Sequence, residues 1–386
     1  MSRSPGREIS PFIAMEVLKA ANLREQAGGA VYHMEVGQPA TSAPPKVIAA
    51  AMQALKDQQI GYTDALGIAP LRVAIAAHYA RFYGVDISPA RVIVTTGSSG
   101  GFLLSFLSAF EKGDRVVLAE PGYPAYRNIL TSLDLEPVGL PCHDETNFQP
   151  TPALLDALDG PLHGLLVASP SNPTGTMLTR TELAALVEYC RVRKMTFISD
   201  EIYHGICYGE PATSALELTD DAIIINSFSK FFSMTGWRLG WMIVPERQVA
   251  VIEKLAQNLF ISPPALSQYA AVAAFDGMAE LEGYVEDYAR NRDILLREFP
   301  KLGLTKLAAA DGAFYIYADV HEFTNDSVAF CKKMLAETGV AATPGVDFDP
   351  HRGHGYVRFS FAGSTTSITQ AITALKTWPG LKKGAE

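Results

Sequence analysis

The residues with the clearest chemical potential surround a lysine in the middle of the chain. Residues 222–226 (Ala-Ile-Ile-Ile-Asn) are apolar enough for a buried strand, and Lys230 follows in the segment 227–230 (Ser-Phe-Ser-Lys). The segment 236–240 (Gly-Trp-Arg-Leu-Gly) then adds Arg238. A lysine beside an arginine and two hydroxyls suits Schiff-base chemistry, because a desolvated amine is a nucleophile. Considered alone, Lys230 is more typical of a solvated surface residue.

A glycine- and serine-rich segment lies at 97–101 (Gly-Ser-Ser-Gly-Gly), between a predicted strand and a predicted helix. It matches the G-x-S-x-G pattern of a nucleophile elbow, so a serine hydrolase with Ser99 as nucleophile is one hypothesis. The segment is also typical of an anion-binding turn, in which helix N-terminal amides and the hydroxyls of Ser98 and Ser99 hold a phosphate. A plain tight turn is the third interpretation, and the segment alone leaves all three open.

Two further polar clusters follow predicted strands. Residues 171–175 (Ser-Asn-Pro-Thr-Gly) include Asn172, and residues 199–203 (Ser-Asp-Glu-Ile-Tyr) include Asp200 and Tyr203. The first cluster suits a turn and Asp200 suits a helix N-cap, so each has a structural explanation. Four polar clusters after successive strands nevertheless favour a single site, since α/β folds bind ligands beyond the carboxyl ends of their strands.

The elements that must position these residues alternate between apolar strands and helices. Strands are predicted at 91–95, 115–119, 162–168, 195–199 and 222–226, and a further strand is predicted near 31–35. Thr179 and Glu182 form a capping-box pattern that opens one of the helices. The alternation predicts an α/β fold with a mostly parallel sheet flanked by helices. The ends of the chain show an α+β pattern, which predicts a smaller domain of 1–43 and 285–386 beside a large domain at 44–284.

The composition excludes several classes of protein. Of the 386 residues, 48% are hydrophobic and 19% are charged, which is too apolar for a disordered protein. The net charge is -9, and no basic cluster points to nucleic acid or an anionic membrane. No apolar run approaches the ~20 residues of a membrane span. The four cysteines lack a metal-site spacing, and a cytoplasmic enzyme with reduced thiols is the expectation.

Taken together, these segments resemble those of the pyridoxal-phosphate (PLP)-dependent aminotransferases of class I/II, the aspartate-aminotransferase-like group of fold type I. The matching segments, in the family's order and spacing, are 171–175, 199–203, 227–230 and 236–240. Residues 121–124 (Pro-Gly-Tyr-Pro), 61–63 (Gly-Tyr-Thr) and Arg358 extend the similarity over nearly the whole chain.

The resemblance implies cofactor contacts for most of these residues. Lys230 would carry PLP as an imine and then move the substrate proton, Asp200 would keep the pyridine nitrogen protonated, and Tyr123 would stack on the ring. Hydrogen bonds to the phenolic oxygen of the ring are implied for Asn172 and Tyr203. Phosphate contacts are implied for Ser98, Ser99, Ser227, Ser229 and Arg238.

Two further implied contacts concern the substrate, and one concerns a second subunit. Arg358 resembles the arginine that binds the substrate α-carboxylate, which a guanidinium matches with two parallel hydrogen bonds. Gly37 would bring its backbone close to the same carboxylate, and Asn172 is implied as a further substrate contact. Tyr62 resembles a tyrosine that reaches the phosphate of the neighbouring subunit, which implies a homodimer with shared sites. The alternative for Arg358 is an arginine that faces outward from a strand. The alternative for Tyr62 is an ordinary interface or core tyrosine.

The resemblance leaves the substrates least defined. It implies an amino acid donor and a 2-oxo acid acceptor, and we expect 2-oxoglutarate as the acceptor. Phe12, Ile13, Gln38 and Phe314 are predicted to line the side-chain pocket, and their mix favours a neutral or aromatic amino acid. A C–S β-lyase is the alternative enzyme, because the same fold and cofactor cradle serve several reactions. A cofactor-sensing regulatory domain is less favoured, since about ten residues precede the first predicted helix. No metal is expected.

Overall fold

The structure is a computed structural model that describes residues 9–382 of the 386-residue chain. Its central element is a seven-stranded sheet. In spatial order the strands are β2 (Val92–Thr95), β8 (Gly240–Ile243), β7 (Ile223–Ser227), β6 (Thr196–Asp200), β5 (Gly164–Ala168), β3 (Arg115–Glu120) and β4 (Glu136–Pro141). Only β8 runs antiparallel to its neighbours, so the other strands of this sheet share one carboxyl edge. The predicted mostly parallel sheet is confirmed.

Helices cover both faces of this sheet because its strands are apolar on both sides. Ile223 and Ile225 of β7 pack into one hydrophobic cluster with helices, and Ile224 packs into the cluster on the opposite face. The α-helices are α1 (Ile13–Gln26), α2 (Pro45–Asp57), α3 (Ala69–Tyr83), α4 (Gly97–Ala109), α5 (Pro124–Ser132), α6 (Pro152–Asp156), α7 (Arg180–Arg193), α8 (Glu246–Leu259), α9 (Ala265–Val272), α10 (Met278–Glu298), α11 (Ser327–Thr338) and α12 (Thr365–Lys376). The predicted capping box is confirmed at α7, where Thr179 and Glu182 each accept a hydrogen bond from the other's amide.

Two smaller sheets join the two ends of the chain. β9 (Tyr315–Asp319), β11 (Thr343–Pro344) and β12 (Tyr356–Ser360) form an antiparallel sheet in the order β11–β12–β9. β1 (Tyr32–His33) pairs in parallel with β10 (Val340–Ala341). The N-terminal segment therefore packs with C-terminal residues in a smaller α+β part, as predicted, while the exact domain boundaries stay a prediction.

Several strands differ from the sequence prediction. β4 was not predicted because it carries two prolines, and it is tolerated because it forms the edge of the sheet. β8 was not predicted because it begins inside the 236–240 segment. The strand expected at 31–35 is only two residues long. β6 and β7 each begin and end one residue later than expected.

Three broader features concern membranes, metals and disulfides. Within residues 9–382, no helix is long and apolar enough to cross a membrane. In the same part of the chain, no group of three or more His, Cys, Asp or Glu side chains could hold a metal ion. All four cysteines are unpaired, and the cytoplasmic setting stays a prediction.

Candidate active site

A cavity of about 480 Å³ opens at the carboxyl edge of the large sheet. It brings together most of the residues that the sequence singled out: Gly37, Ser98, Ser99, Tyr123, Asn172, Asp200, Tyr203, Ser229, Lys230, Arg238 and Arg358. The residues from the large sheet converge because parallel strands end at one edge. No histidine among the described residues lines this cavity, so the base that a serine hydrolase would need beside Ser99 is missing.

The first turn of α4 forms one end of the cavity. Thr96 precedes the helix and makes no capping bond with its side chain, which leaves the amides of Ser98 and Ser99 to an external acceptor. The guanidinium of Arg238 lies against this turn, since a Cβ on Gly97 would be 2.6 Å from Arg238 Nη2. Amides at a helix N-terminus, two hydroxyls and a guanidinium together match the oxygens and charge of a phosphate.

Ser227 lies behind this end of the cavity and is not part of its lining. Its buried hydroxyl oxygen accepts a hydrogen bond from the Ser229 amide at 3.0 Å and lies 2.9 Å from the Ser229 hydroxyl. Ser229 itself lines the cavity. Ser227 therefore braces Ser229, and the direct phosphate contact implied for Ser227 stays a prediction.

Lys230 follows the end of β7 by three residues, and its side chain lines the cavity. Its Nζ donates to the backbone oxygen of Gly37 at 2.5 Å. Burial, with the positive charges of Arg358 and Arg238, lowers the pKa of Lys230 to about 8, and Asp200 opposes this shift. At pH 7 about a tenth of the amine is thus unprotonated and nucleophilic, far more than for a lysine with an ordinary pKa.

Asp200 ends β6 at the floor of the cavity and is 3% exposed. Burial raises the pKa of Asp200 to about 6, although a hydrogen bond from Tyr126, the Ile202 amide at 3.1 Å and the charge of Lys230 all favour the ionised form. A cationic group beside this carboxyl would favour ionisation further. Sequence analysis did not identify Tyr126, although its place one helical turn after Tyr123 was an available signal.

Arg358 is the cation on the side of the smaller sheets. Its Nη1 donates to Asn172 Oδ1 at 2.8 Å, and its Nη2 donates to Thr343 Oγ1 at 3.2 Å and to the backbone oxygen of Glu35. The Nε atom is buried and has no hydrogen-bond partner in the described structure. The guanidinium also lies 4.5 Å from the ring centre of Tyr315.

Tyr315 connects this arginine to the rest of the site and was also missed by the sequence analysis. Its hydroxyl lies 2.7 Å from the hydroxyl of Tyr203. A Cβ on residue 37 would lie only 1.9 Å from the Tyr315 oxygen, so glycine is required at Gly37 for the chain to pass. Tyr315 could have been suspected only from its place on a strand that pairs with the strand of Arg358.

The remaining wall of the cavity is mainly apolar. It consists of Phe12, which precedes α1, of Ala14, Met15 and Leu18 of α1, and of Val36 and Gln38 on either side of Gly37. Phe12 packs edge-on against Tyr123, with ring centres 5.8 Å apart. The expectation for Phe12 and Gln38 agrees with this lining, whereas Ile13 and Phe314 are not part of it. Phe314 packs instead between Tyr203 and Tyr288.

Tyr62 lies outside the cavity lining, in the segment between α2 and α3. It is 83% exposed, so it is neither a core residue nor a contact of this chain's own site. The next residue, Thr63, is anchored to the connection between α8 and α9: its amide donates to Ser262 Oγ at 3.3 Å. The role implied for Tyr62 in a neighbouring subunit stays a prediction.

Comparisons with known proteins agree with this geometry. The family model described as aminotransferase class I and II matches residues 31–375. The chain belongs to this family. A relative from Mycobacterium tuberculosis named valine–pyruvate aminotransferase is 50% identical over 374 residues, which cover 96% of each chain. An aspartate aminotransferase from Thermotoga maritima is 32% identical and covers 96% of this chain and 97% of its own.

The solved structures lead to the same family. The crystal structure of an aminotransferase from Mycobacterium tuberculosis superposes with a TM-score of 0.96 at 48% identity, covering 98% of this chain and 99% of that one. The protein is therefore a PLP-dependent aminotransferase of the aspartate-aminotransferase-like group. The chemistry of its cavity fits that cofactor: an uncapped helix N-terminus beside an arginine, a buried carboxyl and a lysine with a lowered pKa.

Proposed function

We propose that this aminotransferase moves an amino group between a neutral aliphatic amino acid and a small neutral 2-oxo acid, with PLP attached to Lys230. One observation carries the proposal: the Lys230 amine shares a cavity with the buried Asp200 carboxyl on one side and the Arg358 guanidinium on the other. This arrangement provides an attachment point, a countercharge and a carboxylate receptor within one enclosed space.

The polar end of the cavity is our proposed cofactor site. Ser98, Ser99 and Arg238 would hold the phosphate, with Ser229 beside them and Ser227 bracing Ser229. Tyr123 and Asp200 would hold the ring, and Asn172 and Tyr203 would face its phenolic oxygen. When bound there, PLP supplies an electron sink for the negative charge that develops at the substrate Cα.

Lys230 is the proposed proton carrier of the reaction. Its Nζ, with a pKa of about 8, would accept the proton from the substrate Cα and return it at another position. A pKa close to the working pH suits both halves of this task, because the same atom must hold and release the proton.

Arg358 is the proposed receptor for the substrate α-carboxylate. The Arg358–Asn172 hydrogen bond of 2.8 Å fixes the guanidinium, and the unpartnered Nε leaves donor capacity. A carboxylate oxygen is a suitable acceptor for such a buried donor.

The substrate class follows from the apolar wall. Within the described residues, the cations that line the cavity are Lys230, Arg238 and Arg358, and each already has a proposed role. Residues 9–382 offer no further cation to a distal carboxylate in this cavity, so a neutral side chain fits better than aspartate or glutamate. The relative named valine–pyruvate aminotransferase supports the same choice. We accordingly favour a neutral acceptor such as pyruvate over the 2-oxoglutarate expected from the sequence.

A second copy of the chain is proposed to complete each site through Tyr62. Tyr62 is 83% exposed, and apolar side chains are also exposed on α2 and in the segment after it, namely Ile48, Met52, Leu55 and Ile60, and at Ile261 beside the Ser262 that the Thr63 amide contacts. Such a patch is typical of a protein interface. Mixed Tyr62→Phe and Lys230→Ala dimers test the idea, because one of the two hybrid sites would keep both groups. Activity should reappear on mixing, and absence of recovery despite proven subunit exchange would contradict the shared site.

The central test of the function combines a label with a substrate screen. Borohydride should fix PLP to the peptide that contains Lys230, and labelling of another lysine would refute the attachment site. Valine, alanine, leucine, aspartate and glutamate should be paired with pyruvate and with 2-oxoglutarate, and keto acid, amino acid and ammonia measured. Transfer from neutral donors to pyruvate without ammonia is the expected result. Ammonia and pyruvate release from a cysteine conjugate would instead indicate the β-lyase, which none of the relatives named above supports.

A further inference from the structure

The first turn of α1 is held by a residue from the other end of the chain. Phe12 precedes the helix and makes no capping bond with its side chain. The amides of Ile13 and Ala14 donate instead to the two carboxylate oxygens of Asp347, at 3.1 Å and 3.2 Å. One carboxylate thus satisfies two of the amides that a helix start leaves open, and its charge complements the helix dipole.

Asp347 also connects to the helix that follows Tyr123. The backbone oxygen of Asp347 accepts from Arg127 Nη2 on α5 at 2.7 Å. Tyr123, which precedes α5, is the residue on which Phe12 packs. The carboxylate and the backbone of Asp347 therefore fix the start of α1 and the start of α5 relative to each other. The two contacts use different atoms, so a side-chain substitution removes only the first.

Asp347 is 2% exposed and does not line the cavity, whereas Phe12, Ala14 and Met15 beside its contacts do. Burial raises the pKa of Asp347, and the amides of Ile13 and Ala14 with the charges of Arg358 and Arg127 oppose that shift. All these neighbours favour the ionised carboxylate, which can accept from both amides at once.

We propose that Asp347 is a positioning residue that determines substrate preference by holding the first turn of α1 as the apolar wall of the side-chain pocket. The proposal rests on the function proposed above for the identity of the substrates. Loss of the carboxylate frees the helix start, and Phe12, Ala14 and Met15 then no longer form a fixed surface. Lys230, Asp200 and Arg358 stay in place, because other elements hold them.

This role makes a prediction about which kinetic constant changes. A large donor side chain, such as that of valine, depends on the wall, whereas the methyl group of alanine scarcely reaches beyond the reacting carbon. Asp347→Ala should raise KM for valine about 10-fold, as expected for the loss of a few methyl contacts. The KM for alanine and kcat for both donors should stay within about twofold. Asp347→Asn keeps one carbonyl oxygen as an acceptor and should show a smaller change.

The decisive experiment is hydrogen–deuterium exchange of the full-length enzyme, with and without PLP, in wild type, Asp347→Asn and Asp347→Ala. The amides at the start of α1 should exchange about 5-fold faster in Asp347→Ala, because a lost cap unmasks them. Asp349→Asn is the matched control: Asp349 is a buried carboxylate in the same loop that accepts from the amides of His351 and Arg352 and from the Arg352 guanidinium, and within residues 9–382 it has no hydrogen bond to α1. It should leave exchange at α1 and the valine KM unchanged.

The outcomes separate this proposal from the proposed function. Unchanged exchange at Ile13 and Ala14 in Asp347→Ala would overturn the positioning role, as would equal KM changes for alanine and valine. An equal effect of Asp349→Asn on α1 would show general damage to the loop and would also overturn it. If the wild-type enzyme rejects valine, the substrate proposal fails by itself, and the exchange measurement still decides the role of Asp347.

Discussion

The two ends of the cavity are built in different ways. The cofactor end consists of Asp200, Lys230 and the first turn of α4, which follow strands of one sheet and are polar or charged. The side-chain end consists of apolar residues from α1 and from the segment around Val36. The first end is fixed by the core of the large sheet. The second is assembled by contacts between distant parts of the chain, such as Asp347 with α1.

This difference separates the type of reaction from the choice of substrate. Chemistry requires groups that are fixed within fractions of an ångström, and the ends of packed strands supply that precision. Substrate choice requires a surface of suitable shape, which can change without movement of the reacting groups. The class of reaction should therefore be robust to changes at the side-chain end, and the substrate range should be robust to changes at the cofactor end.

The largest expected effect tests the cofactor end. Asp200→Asn keeps the acceptor for the Ile202 amide but removes the negative charge that we propose as the partner of the ring nitrogen. We expect kcat to fall on the order of 10²–10³-fold, similarly for every donor, because preorganised charge at the reacting group is lost. Steady-state kinetics with valine and alanine, together with a melting curve, measure the effect.

A purely structural Asp200 would give a different result. No helix begins directly after Asp200, and Asp200→Asn keeps the acceptor for the Ile202 amide, so a purely structural role would leave kcat nearly intact and change the free energy of unfolding by no more than about 1 kcal/mol. Such a result, or a loss that differs strongly between donors, would contradict the separation of the two ends.

The cofactor end could be predicted from the sequence because each of its groups follows an apolar strand within a few residues. Lys230 comes three residues after β7, and Asp200 ends β6, so the strand pattern alone brings them to one edge. Tyr126 was missed because its hydrogen bond to Asp200 joins residues 74 positions apart: its place one helical turn after Tyr123 indicates the same helix face but not the contact with Asp200.

The side-chain end could not be predicted in the same way. Ile13 and Phe314 were wrong for the lining, while Ala14 and Tyr315, their immediate neighbours, do line the cavity. Adjacent residues on a helix or strand face different directions, so a shift of one residue changes which side chain reaches the site. The first turn of α1 is held by Asp347, more than 300 residues away, and only tertiary packing brings the two together.

A second, intermediate effect is expected at Arg358, which lies between the two ends. Arg358→Lys should raise the activation free energy for kcat/KM by about 2–3 kcal/mol, because an ammonium cannot replace a buried guanidinium that donates in two directions. The loss should be equal for the amino donor and the 2-oxo acid, since both carry the same carboxylate. An amine without a carboxylate should be affected little. A loss confined to substrates with acidic side chains would show that Arg358 recognises the distal group instead.

The smallest expected effect tests the side-chain end with an added charge. Gln38 lines the cavity beside the apolar wall and is an exposed residue. Gln38→Lys would place a cation where a distal carboxylate could reach it, and a solvent-exposed ion pair contributes about 0.2–1 kcal/mol. We therefore expect kcat/KM for 2-oxoglutarate to rise up to about fivefold, with kcat/KM for pyruvate unchanged. Gln38→Met, of similar length and without charge, is the control and should not raise kcat/KM for 2-oxoglutarate.

An equal gain in kcat/KM for both acceptors would show that residue 38 acts on the common carboxylate or on the cofactor end. Residue 38 would then not belong to the side-chain end, and the wall formed by α1 would have to account for substrate choice alone.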